Sequence, residues 1–253
     1  MKTVTVKNVT LGEGAPKICV PMVGKTAEAL CEEAKMLLSV DLDIIEWRVD
    51  FFEQVTDLVA VEAVAKEIRA LLPETPILFT FRTKKEGGER EVPTAYYFEL
   101  NQTMIQSQLV DLVDIELFMG DEQISESIQL AKENAVKVVM CNHDFDKTPA
   151  KEEIVSRLCR MQTLQADICK IAVMPQSTQD VLTLLDATNT MKEQHANRPI
   201  ITMSMGGIGV ISRLAGETFG SAMTFGAAKQ ASAPGQVSVN SLRTILDVLH
   251  ESV

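Results

Sequence analysis

The chain has 253 residues, with 24 lysines and arginines against 35 aspartates and glutamates, for a formal net charge of −11. Hydrophobic residues make up 46% and charged residues 23%, which allows a large core without staples and excludes wholesale disorder. The acidic balance argues against nucleic acid and anionic membranes as partners, since both reward positive charge.

The chain opens on MKTVTVKNVT, which alternates apolar and polar residues and lacks the continuous apolar stretch of a signal peptide. A cytoplasmic location and a small β-hairpin over residues 2–12 are expected. Short β-branched runs then follow at 17–22, 43–50, 76–82, 112–117, 137–143, 167–174, 199–205 and 222–226. Amphipathic stretches separate them: Val61, Val64, Ala65, Ile68, Leu71 and Leu72 share one helical face, as do Leu242, Ile245, Leu246 and Leu249. Thr148-Pro149 fits a helix cap with proline in the first turn, and Ser177 with Asp180 fits a capping box. Eight strands, each followed by a helix, predict a single (β/α)₈ barrel over 1–253, of ordinary length at about 250 residues, with the hairpin across its bottom. A doubly wound open sheet is the rival, but the first strand-to-helix turn has no GxGxxG. Five scattered cysteines with no CxxC pair suggest reduced thiols and neither a zinc site nor a disulfide framework.

Strand residues of a barrel alternate between interior and helix-facing sides, and chemistry gathers at the carboxyl ends. In the second strand the apolar Ile45, Trp47 and Val49 must face the helices, so Glu46, Arg48 and Asp50 point inward. Thr80 and Arg82 follow on the third strand, Asp114 and Glu116 on the fourth. Buried without partners, each charge costs several kcal/mol, so these groups form either a satisfied network or a polar site. His143 ends the fifth strand. Lys170 lies mid-way along the sixth, on the face of Ile168 and Ala172, and enclosure favours its neutral amine, the nucleophile of Schiff-base chemistry. Glu86 precedes a glycine pair after strand three, Arg213 follows strand seven, and Ser232 and Gln236 lie in a small-residue stretch shaped like a lid. His195 and His250 sit near helix ends and read as structural. The glycines of GGIG could instead cradle a phosphate.

The motifs EWRVD at 46–50, FRTKKEGG at 81–88, NHDF at 142–145, ICKIAVMP at 168–175, MSMGGIGVISRLAG at 203–216 and SAPGQ at 232–236, in this order, resemble the type I 3-dehydroquinate dehydratases. That resemblance implies a homodimeric (β/α)₈ barrel in the shikimate route, working on 3-dehydroquinate without metal or organic cofactor. It implies that Lys170 forms a Schiff base with the substrate ketone, that His143 is the general acid and base, and that Glu86 orients His143. It further implies that Arg213 binds the substrate carboxylate with Ser232 and Gln236, while Glu46, Arg48 and Arg82 hold the ring hydroxyls. Pro21 stands where some members carry serine. A class I Schiff-base aldolase is the alternative, though one acting on phosphosugars needs a phosphate site. A noncatalytic barrel leaves the inward Lys170 and His143 without purpose.

Overall fold

The computed structural model describes residues 2–228 and 235–252. A hairpin, β1 (Val4–Val6) and β2 (Val9–Leu11), precedes a curled sheet. That sheet contains β3 (Lys17–Met22), β4 (Ile44–Arg48), β5 (Ile77–Thr80), β6 (Leu112–Glu116), β7 (Lys137–Asp144), β8 (Ile168–Val173), β9 (Ile200–Ser204) and β10 (Met223–Ala227), all pairing in parallel. The ends of the sheet meet at a seam between β9 and β10, where the Ala222 N–H donates to Ile200 O at 2.8 Å and the Thr202 N–H to Ser221 Oγ at 3.0 Å. The fold is therefore the expected α/β barrel. The hairpin side chains Val4, Val6, Val9 and Leu11 pack with Cys19, Ile44, Leu78, Leu112, Val139, Ile168 and Ile201 at the amino-terminal ends of the strands, plugging the bottom. Trp47, Phe79, Val113, Met140 and Ile171 belong to a second core, shared with the helices. The period-two alternation thus divides each strand between two cores.

Helices α1 (Ala27–Leu37), α2 (Leu58–Leu71), α3 (Thr94–Ser107), α4 (Asp121–Glu133), α5 (Lys151–Thr163) and α6 (Thr178–Thr190) cover the outside. Thr26, Asp57 and Ser177 cap α1, α2 and α6, the last through the full reciprocal box with Asp180. Three features depart from the simple strand-then-helix pattern. Helix α5 starts at Lys151 behind Ala150, because Thr148 Oγ1 donates to Met174 O and ties its loop to β8 instead of capping. After β9, two four-residue helices, α7 (Ile211–Leu214) and α8 (Gly216–Phe219), replace one long one. A two-residue strand, β11 (Val237–Ser238), pairs with the end of β10 before α9 (Val239–His250).

The bottom of the barrel is pinned on alternate strands. Asp43, Asp111 and Asp167 immediately precede β4, β6 and β8, and their carboxylates accept the N–H groups of Ile18, Ile77 and Val138 at 2.7, 2.8 and 2.9 Å. Each also meets a cation, respectively Arg243, Arg69 and Lys137. This end is built for register and stability, which leaves the opposite end for chemistry.

Candidate functional site

The inward charges form paired ranks toward the carboxyl ends of the strands. Arg48 forks onto Asp50, with both N–O distances 2.8 Å, and lies over the Phe51 ring. Asp50 is not on the strand but on a single helical turn, Val49–Phe51, that carries it back beside Arg48. Arg82 donates to Glu116 at 2.8 Å and to Asp114 at 2.7 Å, and contacts Cys141 Sγ at 2.9 Å. Glu116 also accepts from the Thr83 N–H and hydroxyl. Burial opposes ionisation of Asp114, but Arg82 and Lys170 outweigh it and hold the acid below its usual range. The Cys141 thiol donates to Asp114 and is pushed up, chiefly by burial.

Lys170 is 3% exposed. Its Nζ lies 3.5 Å from Asp114 Oδ2, 3.8 Å from Glu46 Oε1 and 4.6 Å from the centre of the Phe225 ring. Two carboxylates are thus enclosed with the lysine and pair with its head group. Glu46 in turn accepts from the Thr80 hydroxyl at 3.0 Å.

On the next strand, His143 Nδ1 lies 3.0 Å from Glu86 Oε2, and the His143 N–H donates to the same oxygen at 2.9 Å. Asn142 Nδ2 donates to the other oxygen at 3.0 Å. Glu86 reaches this position because Gly87, at φ +84°, turns the chain where a Cβ would strike the Phe145 ring, which itself stacks on His143. Burial, then Arg82, Lys170 and Arg48, push the imidazole well below its ordinary value, so it is neutral at pH 7. Glu86 is pushed up to about 7, first by burial and then by Glu116, against the pull of Arg82. The ligand atoms of Glu86, Cys141 and His143 all lie within 4.8 Å of one another, a spacing that suits a metal ion. However, the Arg82 guanidinium already occupies contact distance to Cys141 and lies 3.8 Å from Glu86, a cation where a metal would need to be.

One small cavity gathers Glu46, Arg48, Arg82, Glu86, His143, Lys170, Arg213 and Gln236, all named from the sequence. The Ser212 hydroxyl accepts the Ser204 N–H and donates to Gly209 O, folding the loop after β9 back so that Arg213 reaches the mouth. Burial pushes that guanidinium down to about 10. Gln236 follows Gly235, whose backbone seats so closely on Gly206 that a Cβ would fall 2.3 Å from Gly206 O. Ser232 lies outside the described residues. Phe225, Phe145, Met203 and Met205 also line the cavity. Phe145, Met203 and Met205 fall within the NHDF and MSMGGIGVISRLAG motifs, but as apolar residues they read as ordinary core and were not singled out as site residues.

The family model for type I 3-dehydroquinase matches residues 18–253. The chain belongs to this family. It is 69% identical over 251 residues to a 3-dehydroquinate dehydratase of Listeria monocytogenes, covering 99% of each chain. To the 3-dehydroquinate dehydratase of Clostridioides difficile it is 58% identical over 252 residues, covering 100% of this chain and 99% of the relative. A crystal structure of the type I enzyme from Clostridium difficile, with covalently modified comenic acid, superposes with a TM-score of 0.97 at 58% identity, covering 100% of this chain and 99% of that one. The 3-dehydroquinate dehydratase of Geobacillus kaustophilus superposes with a TM-score of 0.96 at 40% identity, covering 99% and 97%.

Proposed function

We propose that the chain dehydrates 3-dehydroquinate to 3-dehydroshikimate in the shikimate route, through an imine on Lys170. The observation that carries this reading is the convergence of the Lys170 amine and the neutral His143 on one cavity from adjacent strands, with Arg213 at its mouth. The Lys170 amine, once deprotonated, adds to the C3 carbonyl, and the carbinolamine loses water to give an iminium. The iminium withdraws electrons, so His143 removes a C2 proton and an enamine forms. The enamine expels the C1 hydroxyl, His143 returns its proton to that leaving group, and water is lost. Hydrolysis of the remaining imine frees the product and restores Lys170. Asp114 and Glu46, which flank the ammonium, also stabilise the iminium, a cation at the same place. Glu46, Arg48 and Arg82 face the ring hydroxyls, and Gln236 binds the substrate beside Arg213. The whole chain acts as one catalytic unit, and we assign it to the cytoplasm as a homodimer. Five free cysteines suit a reducing compartment, and equilibrium sedimentation tests the dimer. No helix among the described residues is long and apolar enough to cross a membrane.

Borohydride reduction in the presence of 3-dehydroquinate, followed by peptide mass mapping, tests the reaction. An adduct confined to Lys170 is expected; no adduct, or one on a surface lysine, overturns the reading.

Arg213→Ala is expected to raise KM roughly 10- to 100-fold, the worth of a forked charged contact, with a smaller effect on kcat. An unaltered KM counts against the carboxylate clamp. The pH profile tests the dyad. When Glu86 is ionised it accepts Nδ1–H, leaving the Nε2 lone pair free to act as base. When Glu86 takes up a proton it donates to Nδ1, and Nε2 must then carry the hydrogen. Activity should therefore fall as pH drops through about 7, the value to which Glu86 is raised. In Glu86→Gln that limb should move to lower pH, toward the depressed titration of His143 alone. An unmoved limb rules out the dyad as its source.

A further inference from the structure

Parallel pairing sorts the inward residues into levels. Lys170 is level with Cys141 and Ile201, while Ala172 is level with His143 on one side and Met203 on the other. Two residues along a strand amount to about 6.6 Å, so Ala172 is the inward side chain one step above the amine, toward the cavity mouth. It lines the same cavity as Lys170, His143, Met203 and Phe225. Those neighbours are all large, and Ala172 itself is buried. The space above the amine therefore exists because this position carries only a methyl group.

A barrel interior normally fills such space with branched side chains, and filling a void normally stabilises a fold. Keeping alanine here forgoes that gain in favour of room beside the base. Resting on the proposed imine chemistry, we infer that Ala172 is the specificity-determining residue of the site: its small size admits a six-membered ring over Lys170, flanked by His143 and Met203. A one-carbon aldehyde needs no such room. A larger residue at 172 should exclude the ring while leaving the amine reachable.

The test compares wild type with Ala172→Cys and Ala172→Val in three measurements: kcat/KM for 3-dehydroquinate, Tm, and reductive methylation of Lys170 by formaldehyde and borohydride, read by mass mapping. For Ala172→Val, kcat/KM is expected to fall by about 100-fold, the scale set by one or two methyl groups in a tight pocket. Its Tm should equal or exceed that of wild type, and Lys170 should still be methylated. Ala172→Cys, the smaller step, should lose about tenfold, and it decides the matter if the valine variant does not fold. Kinetics within about threefold of wild type in a folded valine variant, or unchanged kinetics in the cysteine variant, overturn the inference. So does loss of methylation together with turnover, which would mean the lysine itself had moved. A wild-type protein that neither turns over 3-dehydroquinate nor forms its adduct instead overturns the reaction assignment, a separate result.

Discussion

Replacing Lys170 by methionine is expected to lower kcat for 3-dehydroquinate by at least about 10⁴-fold while the protein stays folded. Without the amine no iminium forms, and the C2 proton keeps the low acidity of a simple ketone neighbour. The carboxylates around Lys170 do not depend on it alone. Asp114 retains Arg82 at 2.7 Å and the Cys141 thiol at 2.9 Å, and Glu46 retains the Thr80 hydroxyl. Methionine fills the stem's volume with a flexible apolar chain. The variant therefore separates chemistry from architecture: Tm should change little, turnover should vanish, and borohydride should trap nothing. Turnover within tenfold of wild type in the methionine variant would sink the covalent mechanism, whatever the stability.

The barrel and most of its site were legible for different reasons. Alternation along DIIEWRVD forces Glu46 and Arg48 inward, because Trp47 and Ile45 cannot face a polar interior. The same parity placed Lys170, and its register partner on β7 is two residues short of His143. Pairing across strands was not legible. Read along the chain, Arg48, Arg82 and Lys170 show nothing of which acids they meet. Arg48 is forked on Asp50, Arg82 is held by Asp114 and Glu116, and Lys170 stands between Asp114 and Glu46. The acidic surplus of −11 therefore reaches into the barrel and is not confined to its outer surface. Arg48 and Asp50 are only two positions apart and meet through a local turn, but Arg82 and Lys170 reach Glu116 and Asp114 across 32 to 56 positions, and only the strand register brings those level. The Asp43, Asp111 and Asp167 pins were hidden likewise, since each serves an N–H in the first two residues of a neighbouring strand. Thr148-Pro149 misled for a local reason: its hydroxyl had a better acceptor in Met174 O.

His143→Ala is expected to lower kcat by about 10²- to 10⁴-fold, the range of general acid–base catalysis, without preventing the imine. Glu86 is held by three donors, the imidazole, the residue-143 N–H and the Asn142 amide, and the last two survive the substitution. The loop that carries Glu86 thus keeps its place, as does Lys170 on the neighbouring strand. Lysine can still add to the ketone, more slowly because no acid assists the loss of water. With no base to take the C2 proton, the trapped species should be the imine of intact 3-dehydroquinate, heavier by one water than that of the dehydrated product. Removing the ring also leaves a slot between Glu86 and Phe145, the groups that now hold it by hydrogen bond and stacking. Added imidazole should enter that slot and restore part of the turnover, most effectively above the pH at which free imidazole becomes protonated. A variant that turns over within tenfold of wild type, or whose borohydride adduct has already lost water, would remove His143 from both proton transfers. Loss of the adduct altogether would instead show that the imidazole is required to make the imine, placing its main work one step earlier.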